Sequence, residues 1–165
     1  MSREHLATYL NDHLAGSVVA LEILEHLEGE ATDLMPHVHM LRTDIEADRK
    51  ELRTLMDRLG ISESRTRKVG GWIAEKLTEV KLEVDDESGG PLRRLERLEA
   101  VALGLQGKSA LWSALNAAAA LAPELRGPDY ERLRQRAEDQ HNLVEVLRLQ
   151  AARSALTPLS QAPRH

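Results

Sequence analysis

Cysteine is absent from this chain, which excludes disulfides, thiolate zinc sites and thiol catalysis and leaves His, Asp and Glu as metal ligands. Phenylalanine is absent too, and aromatic residues make up only 2% of the sequence. The core must therefore be built from Leu, Ala, Val and Ile, which interlock well between helices, and the scarcity of aromatics lowers sheet propensity. An all-α chain is the expectation. No apolar run approaches the roughly 18 residues of a membrane span, so no membrane partner is expected. Met1-Ser2-Arg3-Glu4-His5 leads into a charged helix and not into a signal peptide, which points to the cytoplasm. The formal net charge is a mild −5, with basic residues interspersed among acidic ones, so no stripe suits a phosphate backbone and no nucleic acid is expected as a partner.

What is present suits one soluble domain: 165 residues, 42% hydrophobic and 30% charged. Leu6, Leu10, Leu14, Leu21, Leu24 and Leu27 recur at helical spacing before Gly29, predicting a first helix over 3–28. Asp33 as N-cap, Pro36 in the first turn, and Val38, Leu41, Ile45, Asp48, Leu52, Leu55 and Leu59 before Gly60 predict a second over 33–59. The short link between them implies an antiparallel hairpin. Residues 61–90 read as a crossover carrying its own shorter helix, with Val69, Trp72, Ile73, Leu77 and Val80 as a stripe and a polar loop over 85–90. Pro91 opens a third long helix over 91–121, with Leu95, Leu98, Val101, Leu105, Lys108, Trp112 and Leu115 on one face. Gly127-Pro128 precedes a fourth, whose core positions read as Leu133, Ala137, Gln140, Val144, Leu147 and Ala151. The domain is expected to span 1–154, and 155–165, with its prolines, reads as a flexible tail. Two hairpins joined by a long middle connection is the connectivity of bundles with one crossover.

Several segments carry a family resemblance. Tyr9-Leu10-Asn11-Asp12-His13-Leu14-Ala15-Gly16-Ser17-Val18 resembles the start of a bacterioferritin-like first helix, and Val101-Ala102-Leu103-Gly104-Leu105-Gln106-Gly107 is similar to the corresponding third-helix segment. With Glu138-x-x-His141 in the fourth helix, the chain resembles the ferritin-like bundles, bacterioferritin and rubrerythrin among them, over roughly residues 3–154. That resemblance implies a four-helix bundle with a dimetal centre built from a Glu on each of two helices and Glu-x-x-His on the other two. The ligand positions are mostly substituted. Ser17 and Gly104 stand where the single Glu residues would be, Ile45 and Asp48 stand at the second helix's Glu-x-x-His positions, and only Glu138 and His141 match.

Asp48 and Lys108 each occupy the centre of an apolar stripe, and a lone buried charge is too costly to leave unpaired. They are expected to pair, with the ammonium replacing a cation between the carboxylate of Asp48 and a second one, that of Glu138. The remaining constellations are weaker. His37 and His39, two apart on a helix, point to different sides and read as surface residues. His13, one turn before Ser17, is the best additional ligand candidate. His26 with Glu30 runs into a helix end, no His-x-x-x-His occurs, no Gly-x-Ser-x-Gly occurs, and neither Gly70-Gly71 nor Gly89-Gly90 is followed by Lys-Ser or Lys-Thr. Asn116-Ala117-Ala118-Ala119-Ala120 and the Trp72-Ile73 pair are candidates for helix contacts with a second copy, so a homodimer is expected.

The function expected from the sequence is that of a degenerate, non-catalytic ferritin-like bundle serving as a structural or interaction module, with no cofactor. The alternative is an iron- or manganese-binding enzyme or store using Glu138, His141, Asp48 and His13 in an incomplete or mononuclear site. Haem held by His13 or His141 is a third option, made less attractive by the few aromatics.

Overall fold

Apolar side chains at steps of three and four give each long segment one face that must be covered, and four such helices cover one another. The computed structural model describes residues 3–30, 32–64 and 90–157. Their order is α1 (Arg3–Glu30), a 3₁₀ turn (Thr32–Leu34), α2 (Met35–Arg58), α3 (Pro91–Ala119), a second 3₁₀ turn (Pro123–Leu125) and α4 (Tyr130–Leu156). There is no strand among the described residues, which are all-α. The expected crossover helix, with Trp72 and Ile73, lies outside the described residues.

The helix ends differ from the sequence reading in instructive ways. α1 continues through Gly29 to Glu30, and a β-carbon at Gly29 would meet nothing within 4 Å among the described residues, so no close approach there demands glycine. The N-cap of α2 is Leu34, without a side-chain cap, and not Asp33. Asp33 is engaged instead by Arg94, whose Nη2 lies 3.0 Å from Oδ1. α3 stops at Ala119, two residues short of 121, because the chain tightens into the turn at Pro123–Leu125. α4 starts at Tyr130, capped by Asp129, which accepts from the Arg132 backbone N–H at 3.0 Å. It runs to Leu156, so Ala155 and Leu156, expected in the tail, are helical. The end of α2 is a Schellman motif. Gly60, at φ 63°, donates to Asp57 O at 3.0 Å, Ile61 donates to Met56 O at 2.9 Å, and Ile61 is buried.

Side-chain bridges fix the helix directions. Arg42 on α2 pairs with Glu28 near the end of α1, and Arg3 at the start of α1 donates to Leu59 O at 2.9 Å, so α1 and α2 are antiparallel. α3 runs the same way as α2: Asp33 meets Arg94, Asp48 meets Lys108, and Arg58 reaches Glu124 O at 3.5 Å. α4 returns antiparallel to both, through Arg148 with Glu99 at 3.3 Å and Arg132 with Glu51 at 3.2 Å. The link between Ser64 and Gly90 therefore joins opposite ends of the bundle.

The core divides into two apolar halves. One gathers around Ile23, Leu27, Leu41, Ile45, Leu98, Leu105 and Val144, and the other around Leu10, Leu14, Leu52, Leu55, Leu111, Trp112, Leu133 and Ala137. Between them lies the layer containing Asp48, Lys108 and Gln140.

Candidate functional site

The layer between the two apolar halves is polar because three helices each place a polar residue at a core position. Asp48 follows Ile45 by three residues and precedes Leu52 by four, Gln140 stands in the same relation to Ala137 and Val144, and Lys108 lies between Leu105 and Leu111. All three must then find partners inside the bundle. The Lys108 Nζ donates to Asp48 Oδ2 and to Gln140 Oε1, and Arg136 donates to Asp48 Oδ1. Gln140 Nε2 donates to Asp48 Oδ2 at 3.4 Å. Asp48 is only 3% exposed and is held by donors from α3 and α4 together.

Burial pushes the Lys108 ammonium below the usual lysine range, and Arg136 acts in the same direction. The charge and hydrogen bond of Asp48, and the charge of Asp44, oppose that shift. The group is thus a desolvated cation stabilised chiefly by one carboxylate.

Beside this network a partly enclosed cavity of about 50 Å³ lies between α1, α2 and α3. His13 and Ser17 from α1, Ile45 and Asp48 from α2, and Gly104 and Lys108 from α3 line it, with Trp112. The Ser17 hydroxyl donates to Leu14 O at 2.6 Å. Burial lowers the pKa of His13 to about 4, so its imidazole is neutral near pH 7; the ring stands edge-on to Tyr9 with centroids 4.7 Å apart.

The candidate metal ligands do not come together. His13 and Asp48 share the cavity wall, whereas Glu138 and His141 line a groove between α3 and α4 with Gln106 and Ser109. Glu138 is bound by Arg134 one turn earlier, its side chain 40% exposed, and His141 Nε2 lies 3.1 Å from Gln106 Nε2. The reason is rotational. Ala137, Gln140 and Val144 point inward, and a step of one residue turns a side chain by roughly 100° about the helix axis, which carries Glu138 and His141 to the flank. Gln140, and not Glu138, is therefore the second partner of Lys108. Among the described residues no group of three or more His, Asp or Glu side chains is placed to hold a metal ion. A dimetal centre does not fit this donor set, because both oxygens of the carboxylate in the cavity wall are already engaged by cations.

The sequence reading places two members of the network, Gln140 and Arg136, in no partnership with Asp48 or Lys108. Gln140 was legible as a core position, and an amide on an apolar stripe signals an internal partner. Arg136 gave no such signal, since it lies beside the stripe and reaches Asp48 by its length. His37 and His39 are exposed, and His26 Nδ1 lies 2.8 Å from Glu22 O within its own helix. No helix among the described residues is long and apolar enough to cross a membrane. Comparison with protein-family models, curated proteins and solved structures finds no match.

Proposed function

We propose that this chain is a degenerate ferritin-like bundle, non-catalytic, in which an internal ion network stands in the place of a dimetal centre. It serves as a structural or interaction module. The observation that carries this reading is a partial convergence: Ser17, Ile45, Asp48 and Gly104, four of the six positions at which the resemblance puts metal ligands, line one cavity at mid-bundle, while Glu138 and His141 lie in the groove between α3 and α4. Three of those four side chains offer no ligand carboxylate or imidazole, and the fourth, Asp48, accepts from Lys108 and Arg136. The shared direction of α2 and α3, which requires the long link after Ser64, also supports it. An ammonium between helices supplies the positive charge that a metal ion supplies in such a bundle, without offering coordination chemistry. A second copy of the chain is the partner this reading favours.

The test is elemental analysis and an absorption spectrum of untagged protein grown with added iron, manganese and zinc. The expected result is no stoichiometric metal and no chromophore. Stoichiometric metal lost on Asp48→Asn or His13→Gln would overturn the reading in favour of a metal store or enzyme. A dimer in sedimentation analysis is expected alongside.

A further inference from the structure

The mid-bundle cavity is bordered by small residues. Gly16, Ser17 and Ala20 fall on one face of α1 by their spacing, and Gly104 adds a further gap on α3. The larger apolar residues of the wall, among them Ile45, Leu52 and Leu105, leave a space of about 50 Å³ beside them.

Several polar residues border this space, but their polar atoms are spent elsewhere or covered. The Ser17 hydroxyl donates to Leu14 O at 2.6 Å within its own helix. Asp48 accepts from Lys108 and Arg136, and the Lys108 ammonium is held between Asp48 and Gln140. Trp112 Nε1 and Arg49 Nε are buried atoms that present no surface to the cavity. His13 is held neutral by burial. The surface left to the cavity is mostly carbon.

A wall of this kind selects its guest by polarity and size. An ion entering it would shed its hydration without gaining a free counter-charge, because Asp48 and Lys108 already neutralise each other. A hydroxyl or amide would give up its hydrogen bonds to water for a surface of carbon. An apolar molecule loses nothing polar and gains dispersion contacts that an unfilled space forfeits. A volume of about 50 Å³ holds roughly four water-sized bodies, which suits a molecule of a few heavy atoms and not a nucleotide, a sugar or a haem.

We infer that this cavity is a binding site for a small uncharged apolar molecule of the size of a short hydrocarbon, lying against Ala20, Ile45, Leu52 and Leu105. The inference does not rest on a ferritin-like origin, since the cavity and its wall are features of this bundle itself.

Cyclopropane is titrated into isotope-labelled full-length protein, and the methyl resonances of Ile45, Leu52 and Leu105 are followed by NMR. Leu121 and Leu156, both exposed, report adsorption to the surface. The expected result is a saturable shift at the wall methyls alone, with a dissociation constant on the order of 1–10 mM. Binding is expected to be at least about tenfold tighter than for ethanol, a solute of equal size that carries a hydroxyl. Ala20→Leu, which fills the cavity from α1, is expected to abolish the shift. No saturable shift at the wall, an equal or stronger response to ethanol, or equal shifts at Leu121 and Leu156 overturns the inference. Should the variant fail to fold, the comparison of the two solutes on the unaltered protein decides by itself.

Discussion

Lys108 on α3 and Asp48 on α2 meet at the centre of the bundle, and Arg136 on α4 takes the carboxylate's other oxygen, so one buried Asp ties three helices together. A buried ion pair contributes little net stability compared with a well-packed apolar substitute. Breaking it from one side is another matter, because the surviving charge stays buried without its partner.

Asp48→Ala is therefore expected to cost about 3–5 kcal/mol in urea unfolding, since it strands Lys108 beside Gln140 and frees Arg136. Lys108→Met is expected to cost less, roughly 1–3 kcal/mol, because Asp48 keeps the Arg136 and Gln140 hydrogen bonds. For a chain of this size each kcal/mol lowers the melting temperature by about 2–4 °C. An Asp48→Ala protein with an unaltered unfolding midpoint would contradict the burial and pairing of this residue.

His13 sets a testable pH dependence. Its folded pKa, about 4, lies below the ordinary value of 6.5, so the unfolded chain takes up a proton that the native state refuses. The resulting stability is fully present above about pH 6.5 and is lost as the pH falls toward about 4. The loss from this one group is up to about 3 kcal/mol. His13→Gln is expected to remove that part of the acid slope, read as the difference between the two proteins' urea unfolding free energies across this range. Identical slopes would show that the imidazole is not held neutral by burial.

The periodic stripes made most of the fold legible in the sequence. Val38, Leu41, Ile45, Leu52 and Leu55 on α2 and Leu133, Ala137, Val144 and Leu147 on α4 are all buried, because a helical repeat leaves little choice of face. Ends were harder: Asp33 looks like a cap, but an arginine sixty-one residues away along the chain, Arg94, competes for it. The site was half legible. A charge in an apolar stripe signals an internal partner, which brings Asp48 and Lys108 to notice. Glu138 and His141 carry the strongest motif and lie on the flank, because a spacing of three fixes only that two residues share a face, not which way the face looks. The cavity arises from three helices at once and leaves no trace in any one of them.

Gly127 holds the turn into α4 at φ 125°, a conformation that side chains rarely adopt, and the Arg58 guanidinium lies against the place where a β-carbon would be. Gly127→Ala is expected to cost about 1 kcal/mol or more in urea unfolding, by strain and by displacing Arg58 from Glu124 O. An unchanged midpoint would show that the turn rearranges freely.

Glu138→Gln and His141→Ala are expected to change the unfolding midpoint little, since one belongs to a half-buried one-turn ion pair on the flank and the other to a groove-lining hydrogen bond. A large loss of stability in either variant would place these side chains in the interior, contrary to the geometry.

The most direct test of the ion network is a double-mutant cycle on Asp48 and Lys108, using Asp48→Leu, Lys108→Met and the combined variant in urea unfolding. The pair is expected to couple by about 2 kcal/mol or more, with the combined apolar variant recovering much of the loss caused by Asp48→Leu alone. Losses that simply add, within about 0.5 kcal/mol, would mean that the two residues do not act as a unit at the centre of this bundle.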